Sequence, residues 1–192
     1  MLDKSLPYLN IIMKRKAGMS IPYSLLPNEF SFTLYRDGDE VKWAEIETSV
    51  GEFQYVDEAI NYFRNEYLTY PDEIRERVIF IKDSAGQYIA TITAWWNYTQ
   101  DRRNPSIHWL AVKPEYQGLG LSKPLVYKCL EVLLKTEGDN EVYLHTQTWS
   151  YKAIGLYLKT GFELLKTESF GTYLNDFDKA ETILRDRLKD LF

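Results

Sequence analysis

The chain has 192 residues, of which 45% are apolar and 15% aromatic, and its formal charge at neutral pH is −5. This composition excludes a disordered chain, and the negative charge excludes a general attraction for nucleic acid. The single cysteine, Cys129, excludes an internal disulfide and a cysteine-rich zinc site, and two histidines are too few for a histidine-built metal centre. One domain is the expected organisation at this length.

The first residues of the sequence are not expected to form a targeting signal. Its short apolar stretch is interrupted by Asn10 and ends in Lys14-Arg15-Lys16, so no signal peptide is expected. No run approaches the ~18 apolar residues of a transmembrane helix. We therefore expect a cytoplasmic protein with neither a membrane nor a nucleic-acid partner, and residues 1–30 are expected to form an N-terminal extension outside the core.

Residues from 31 onward alternate between strand and helix patterns. Strands are predicted at 31–36, 78–82, 88–98, 107–112, 142–146 and 162–166. Helices are predicted at 41–48, 56–67, 120–136 and 150–160, with a last helix within 175–192. Residues 99–105 read as a polar loop containing Arg102 and Arg103. This order predicts an α/β domain built on a central mixed sheet.

The last predicted helix has a strongly apolar face. Asn175 or Asp176 is a candidate N-cap. The face consists of Phe177, Ala180, Leu184, Leu188 and Leu191. It would pack either on the core or on a second copy of the chain in a homodimer, and the sequence leaves both open.

The most informative segment follows the strand 107–112. Gly118 and Gly120 open a helix there, and Lys123 adds a positive charge within its first turn. A glycine-rich entry to a helix N-terminus is a common anion site. The spacing of a P-loop is absent, and Lys123 stands where a dinucleotide fingerprint needs its third glycine. The glycines alone leave a phosphate site and a plain tight turn open.

Two motifs in this region resemble those of the GNAT (Gcn5-related) N-acetyltransferases. The segment 112–122, Val-Lys-Pro-Glu-Tyr-Gln-Gly-Leu-Gly-Leu-Ser, is similar to the acetyl-CoA motif Gln/Arg-x-x-Gly-x-Gly/Ala, with Ser122 in place of its last small residue. The segment 153–162, Ala-Ile-Gly-Leu-Tyr-Leu-Lys-Thr-Gly-Phe, is similar to a second family segment. Ser150 stands where the family often has Asn.

The resemblance implies a GNAT fold, with a central, mixed, mostly antiparallel sheet flanked by helices and a core at about 31–168. It implies direct transfer of acetyl from acetyl-CoA to an amine, without a metal. The residues implied to bind the cofactor are Val112, Gln117, Gly118, Leu119, Gly120, Leu121, Ser122, Lys123 and Ser150. Val112 would pair its backbone with the pantetheine arm, and backbone amides of the glycine loop would hold the pyrophosphate.

Three residues are implied to act in the transfer itself. The Leu110 N–H would stabilise the oxyanion. Tyr157 holds the position of the family's general acid, which protonates the departing thiolate. His108 resembles a histidine of arylalkylamine N-acetyltransferases, which also read His-x-Leu-Ala-Val, and a neutral imidazole there would take the proton of the amine. An ordinary helix tyrosine and a buried strand histidine are the alternatives.

For the remaining candidate site residues, the sequence gives weaker reasons to expect a role in the reaction. His145 would line the gap between strands 107–112 and 142–146 or be structural, and the structural role is favoured. Glu47 and Glu52 would hold a cationic amine or be solvated surface charges, and surface charge is favoured. Trp95, Trp96 and Trp109 would form walls of an acceptor pocket or pack in the core.

The sequence thus predicts an acetyl-CoA-dependent N-acetyltransferase acting on a small-molecule or peptide amine. A non-catalytic acyl-CoA-binding module on the same fold is the alternative, because a fold does not fix a function. Neither the acceptor nor the general base is identified by the sequence.

Overall fold

The computed structural model describes residues 2–189, which contain seven strands and six α-helices. The strands are β1 Asn10–Arg15, β2 Ser31–Leu34, β3 Val78–Lys82, β4 Tyr88–Thr99, β5 Arg102–Val112, β6 Val142–Gln147 and β7 Glu163–Leu164. The helices are α1 Glu40–Ser49, α2 Val56–Glu66, α3 Pro71–Arg77, α4 Ser122–Glu137, α5 Tyr151–Lys159 and α6 Phe177–Arg187. None of these helices is both long and apolar enough to span a bilayer.

The strands form one mixed sheet in the order β2-β3-β4-β5-β6-β1-β7. Most pairs are antiparallel, and β5 runs parallel to β6, with Ser106 opposite Tyr143. The predicted α/β class with a mostly antiparallel sheet is therefore confirmed. The chain divides into two compact units: the inner unit is Ile21–Ala94 with Trp109–Lys135, and the terminal unit is Trp95–His108 with the segments up to Ser20 and from Thr136.

Strand β1 lies in the segment expected to be an extension. It pairs with β6 along six residue pairs, from Asn10↔Gln147 to Arg15↔Val142, and with β7 on its other side. Its three central residues are fully buried. The basic residues 14–16 made a buried strand unexpected from the sequence. Arg15 can nevertheless be buried, because its guanidinium donates to the carbonyls of Thr160, Met19 and Ser20. Residues 1–30 therefore contribute a strand to the sheet.

The polar loop predicted at 99–105 is wrong, because β4 and β5 continue to a tight turn at Gln100–Asp101. The two arginines are held along the strand by specific partners. Arg102 donates to the Tyr143 hydroxyl at 3.1 Å. Arg103 pairs with Glu137 at 2.7 Å and its guanidinium lies 4.0 Å from the Trp96 ring centroid. Contacts with distant side chains thus keep these polar residues in a strand, although their polarity alone predicts a loop.

The bounds of β2, β3, β4, α1 and α2 lie within about two residues of those predicted. Helix α3 was not predicted. Pro71 ends the preceding helical pattern as expected and also starts α3, since proline is well tolerated at the first helical position. Phe63 and Tyr67, from the predicted apolar stripe of α2, are fully buried.

Helix α6 buries its apolar face within the chain. Phe177, Ala180 and Leu184 are at most 3% exposed, and Leu188 follows at 9%. Leu191, the fifth member of the predicted face, lies outside the described residues. The Phe177 N–H is accepted by the Asn175 side chain, and Asp176 is the N-cap. This face packs on the chain itself, and a homodimer stays a prediction.

Candidate functional site

The connection from β5 to α4 holds two glycines in a conformation that L-residues avoid. Gly118 has φ of 84° and Gly120 has φ of 78°. A β-carbon built on either would meet no atom within 4 Å. These glycines are therefore required by the backbone rather than by close packing, and the loop faces open space.

The loop is tied to both elements that it connects. The Gln117 amide donates to the Val112 carbonyl at 2.9 Å, and Leu121 is 2% exposed. Leu119, between the two glycines, is 48% exposed. Val112, the residues from Gln117 to Lys123 and Leu110 all belong to the inner unit. The inner unit thus contains every implied cofactor residue except Ser150, which belongs to the terminal unit.

The start of α4 is suited to an anion. The helix has 16 residues, and its first turn contains no carboxylate. Lys123 is exposed, with its ammonium 5.8 Å from the Tyr127 ring centroid. Unpaired N–H groups and the helix dipole favour negative charge at such an end. These residues fit the pyrophosphate of coenzyme A.

Trp109 has a left-handed backbone in the middle of β5, with φ of 51°. A bulky residue in this region costs about 1–2 kcal/mol, and such strain concentrates at functional sites. The alternation of β5 is lost there, because His108, Trp109 and Leu110 are all partly exposed while Ala111 and Val112 are buried. Leu110, the implied oxyanion donor, directly follows this irregular residue.

His108 and His145 both lie in the terminal unit. Burial, and secondarily the charge of His145, lowers the pKa of His108 to about 4, and Nε2 of His108 lies 3.0 Å from the Ser106 hydroxyl. Burial alone lowers the pKa of His145 to about 4. His145 Nε2 lies 2.9 Å from the Asn10 side-chain oxygen, and its ring stacks on Tyr173 with centroids 3.6 Å apart. These contacts support the structural role for His145.

We expect the free energy of unfolding to fall by about 3 kcal/mol between pH 7 and pH 5 through these two histidines. Their folded pKa values lie below the unfolded value of about 6.5, so the unfolded chain binds more protons in that window. Glu47, whose pKa is raised by burial, acts in the opposite direction. The test is therefore urea unfolding of the wild type and His145→Gln at both pH values, where the variant should show a clearly smaller loss. An equal loss in both proteins would contradict this assignment.

Tyr157 lies in the second half of α5, in the terminal unit, and is 6% exposed. Its ring packs edge-on against Phe162 with centroids 5.7 Å apart. Ser150 is the N-cap of α5 and is partly exposed. Gly161 ends the helix region with φ of 93°, as the sequence predicts.

The tryptophans divide between the two units. Trp95 and Trp96 are buried in the terminal unit and stack on each other with centroids 4.1 Å apart. They are therefore core residues. Trp109 instead belongs to a group of rings in the inner unit, described next. Cys129 is fully buried, and burial raises the pKa of its thiol, so it has no nucleophilic character.

Four aromatic side chains from separate elements meet in the inner unit. This aromatic cluster consists of Trp43, Phe53, Tyr62 and Trp109. All six pairs of rings have centroids 5.1–6.1 Å apart. The Trp109 indole donates to the Tyr62 hydroxyl at 3.3 Å. Trp43 is fully buried, while the other three rings are partly exposed.

Glu47 lies one helical turn after Trp43 and is only 1% exposed. The expectation of a solvated surface charge is therefore wrong for Glu47 and correct for Glu52, which is exposed. Oε1 of Glu47 has no hydrogen-bond partner among the described residues. Burial, and then the charge of Glu52, raises the pKa of Glu47. A buried polar atom without a partner costs about 1–3 kcal/mol, so this carboxyl calls for an explanation.

The family model described as Acetyltransferase (GNAT) family matches residues 32–162. The chain therefore belongs to the GNAT acetyltransferase family. A search of curated proteins finds no match.

Solved structures share the fold at low sequence identity. A GCN5-related N-acetyltransferase from Sphaerobacter thermophilus is 19% identical with a TM-score of 0.65, covering 83% of this chain and 50% of its own. A GNAT-family acetyltransferase from Colwellia psychrerythraea is 10% identical with a TM-score of 0.60, covering 82% and 53%. Glucosamine-6-phosphate N-acetyltransferase from Arabidopsis thaliana is 20% identical with a TM-score of 0.54, covering 75% and 97%. The chain thus spans about half the length of the first two proteins.

Proposed function

We propose that the chain transfers an acetyl group from acetyl-CoA to a primary amine by direct attack. The observation that carries this proposal is the connection from β5 to α4. Two left-handed glycines face open space there, at the start of a long helix without an acidic first turn. The family motif coincides with this geometry, and the chain belongs to the family.

Binding of the co-substrate is assigned to the loop and its flanks. The N–H groups of residues 118–123 hold the pyrophosphate, and Lys123 adds a full positive charge. The net charge of −5 repels an anion as a whole, so the attraction has to be local. Val112 pairs with the pantetheine arm through its backbone, and Ser150 contributes from the start of α5.

The reaction step is assigned to three groups. The amine nitrogen attacks the thioester carbon, the carbon–sulfur bond breaks, and its electron pair leaves with sulfur. The Leu110 N–H donates to the carbonyl oxygen as it becomes negative. Tyr157 protonates the leaving thiolate, and His108 accepts the proton lost by nitrogen.

The low pKa of His108 limits when it can act. At neutral pH the ring is neutral, which is the form that accepts a proton, but a pKa of about 4 makes it a weak base. Transfer to His108 is therefore easiest after attack, when the nitrogen bonded to the former carbonyl carbon is far more acidic than a simple ammonium.

The proposed function is tested by thiol release from acetyl-CoA against a panel of amines, with the product mass measured. We expect amine-dependent release and products heavier by one acetyl group. Stabilisation of the fold by acetyl-CoA, about 2.7 kcal/mol at 100 times its Kd, without transfer to any amine would instead support a non-catalytic binding module. Neither stabilisation nor transfer with any acyl-CoA would contradict both functions.

A further inference from the structure

Three of the four rings of the aromatic cluster are partly exposed, and one of them belongs to the residue that precedes Leu110. Trp43 on α1 forms its floor, and the partly exposed rings of Phe53, Tyr62 and Trp109 surround it. Trp109 directly precedes Leu110, whose N–H is assigned to the oxyanion, and both residues lie in the inner unit. A molecule held against these rings would therefore lie beside the thioester in the proposed function.

A buried carboxyl lies at the same place. Glu47 follows Trp43 by one turn of α1, and its charge acts on Tyr67, whose ring contacts both Trp43 and Tyr62. Nothing in the described part of the chain donates to Oε1 of Glu47. The indole N–H of Trp43 and the hydroxyl of Thr48 on the same helix also lack partners. A packed core would satisfy these atoms, whereas a binding site presents them to a ligand.

Resting on the proposed function, we propose that Glu47 and the aromatic cluster bind the acceptor, and that the acceptor is a primary amine with an apolar or aromatic body and no negative charge near its nitrogen. Glu47 accepts hydrogen bonds from the ammonium group, and the ring faces attract the cation and cover the apolar body. Glu52, on the loop after α1, adds a second negative charge. Together they repel carboxylate and phosphate groups.

Binding changes the proton bound to Glu47. The charge that acts on this carboxyl is that of Glu52, and Tyr62 and Glu66 act on the neighbouring Tyr67; none of these groups is a cation. Burial without a neighbouring cation therefore raises the pKa of Glu47 and favours the protonated carboxyl when the site is empty. When an ammonium binds, Glu47 loses its proton to solvent and pairs with the ammonium as a carboxylate. Before attack the nitrogen returns one proton to Glu47, because only the neutral amine has the electron pair that forms the new bond.

The test is calorimetric binding of 2-phenylethylamine and of phenylalanine to the full chain, near pH 7, in buffers of different ionisation enthalpy. We expect 2-phenylethylamine to bind with release of a proton and phenylalanine to bind at least tenfold more weakly. Glu47→Gln should weaken 2-phenylethylamine at least tenfold and abolish the proton release. It should keep its thermal stability, because the amide is uncharged like the protonated carboxyl that burial favours.

The matched control is Glu45→Gln on the same helix. Glu45 pairs with Lys42 at 3.1 Å on the surface, so this variant should bind like the wild type. Wild-type-like binding by Glu47→Gln, equal binding of the two ligands, or no binding of 2-phenylethylamine would overturn the assignment. Because calorimetry needs no turnover, binding with proton release supports the site even if acetyl transfer fails. If the protein acetylates only amines outside this class, the proposed function is supported and the proposed acceptor class is wrong.

Discussion

Tyr157→Phe is expected to lower kcat by about 100-fold, with little change in the stability of the fold. The substitution removes the one proton that the proposed function assigns to the departing thiolate, and general acids contribute factors of about 10²–10⁴. The ring stays in its edge-on contact with Phe162, so the packing is kept. The measurement is steady-state thiol release with an accepted amine, together with a thermal unfolding curve of each protein.

Tyr151→Phe is the matched control, because Tyr151 begins the same helix and its ring lies 5.5 Å from the Arg187 guanidinium. It should keep wild-type turnover. If Tyr157→Phe also keeps its kcat, the thiolate takes its proton from water and Tyr157 is a packing residue. A rise in the KM for acetyl-CoA at unchanged kcat would likewise remove it from the chemical step.

The geometry of the glycine loop between β5 and α4 could be predicted from the sequence because it is local. A left-handed backbone at Gly118 and Gly120 is encoded by the glycines themselves, and the helix that follows is a strongly patterned segment. The chemistry of such a loop depends on backbone N–H groups, which every residue carries. The prediction therefore needed no knowledge of distant contacts.

Glu47 could not be predicted in the same way, because its environment is built from separate elements. An acidic residue on a short helix is normally solvated, and the residues next to Glu47 in the sequence do not indicate burial. Rings from α2 and β5 close over α1 only in the folded chain. The one sign of burial in the sequence was the spacing of Trp43 and Glu47. Residues one helical turn apart lie on the same side of a helix, so Glu47 shares the side that carries a large aromatic residue.

Strand β1 and the two arginines of β5 were missed for a related reason. The charged residues at both places predict loops rather than strands. In the folded chain, residues far along the sequence pair with these charged groups, so the strands can form. Arg15 is satisfied by carbonyls, Arg102 by Tyr143 and Arg103 by Glu137. Sequence patterns report burial on average, and they fail where a long side chain pairs its charged end and buries its stem.

Gly120→Val is expected to raise the Kd for acetyl-CoA about 30-fold. A β-branched residue strongly resists the left-handed conformation, which has φ of 78° here, and a penalty of about 2 kcal/mol corresponds to a factor of about 30 in affinity. The added side chain also enters the open space that the proposed function gives to the pyrophosphate. Calorimetric titration with acetyl-CoA measures the change.

Gly86→Val separates cofactor binding from general strain. Gly86 also has φ of 78° and open space around its α-carbon, but it lies in the turn between β3 and β4. Each variant can relieve the strain by relaxing its own turn, but acetyl-CoA binding has to restore the left-handed conformation only at Gly120, so only Gly120→Val should lose affinity. Equal affinities would show that the loop at Gly118–Gly120 is a plain tight turn, and the anion site would then have to lie elsewhere in the chain.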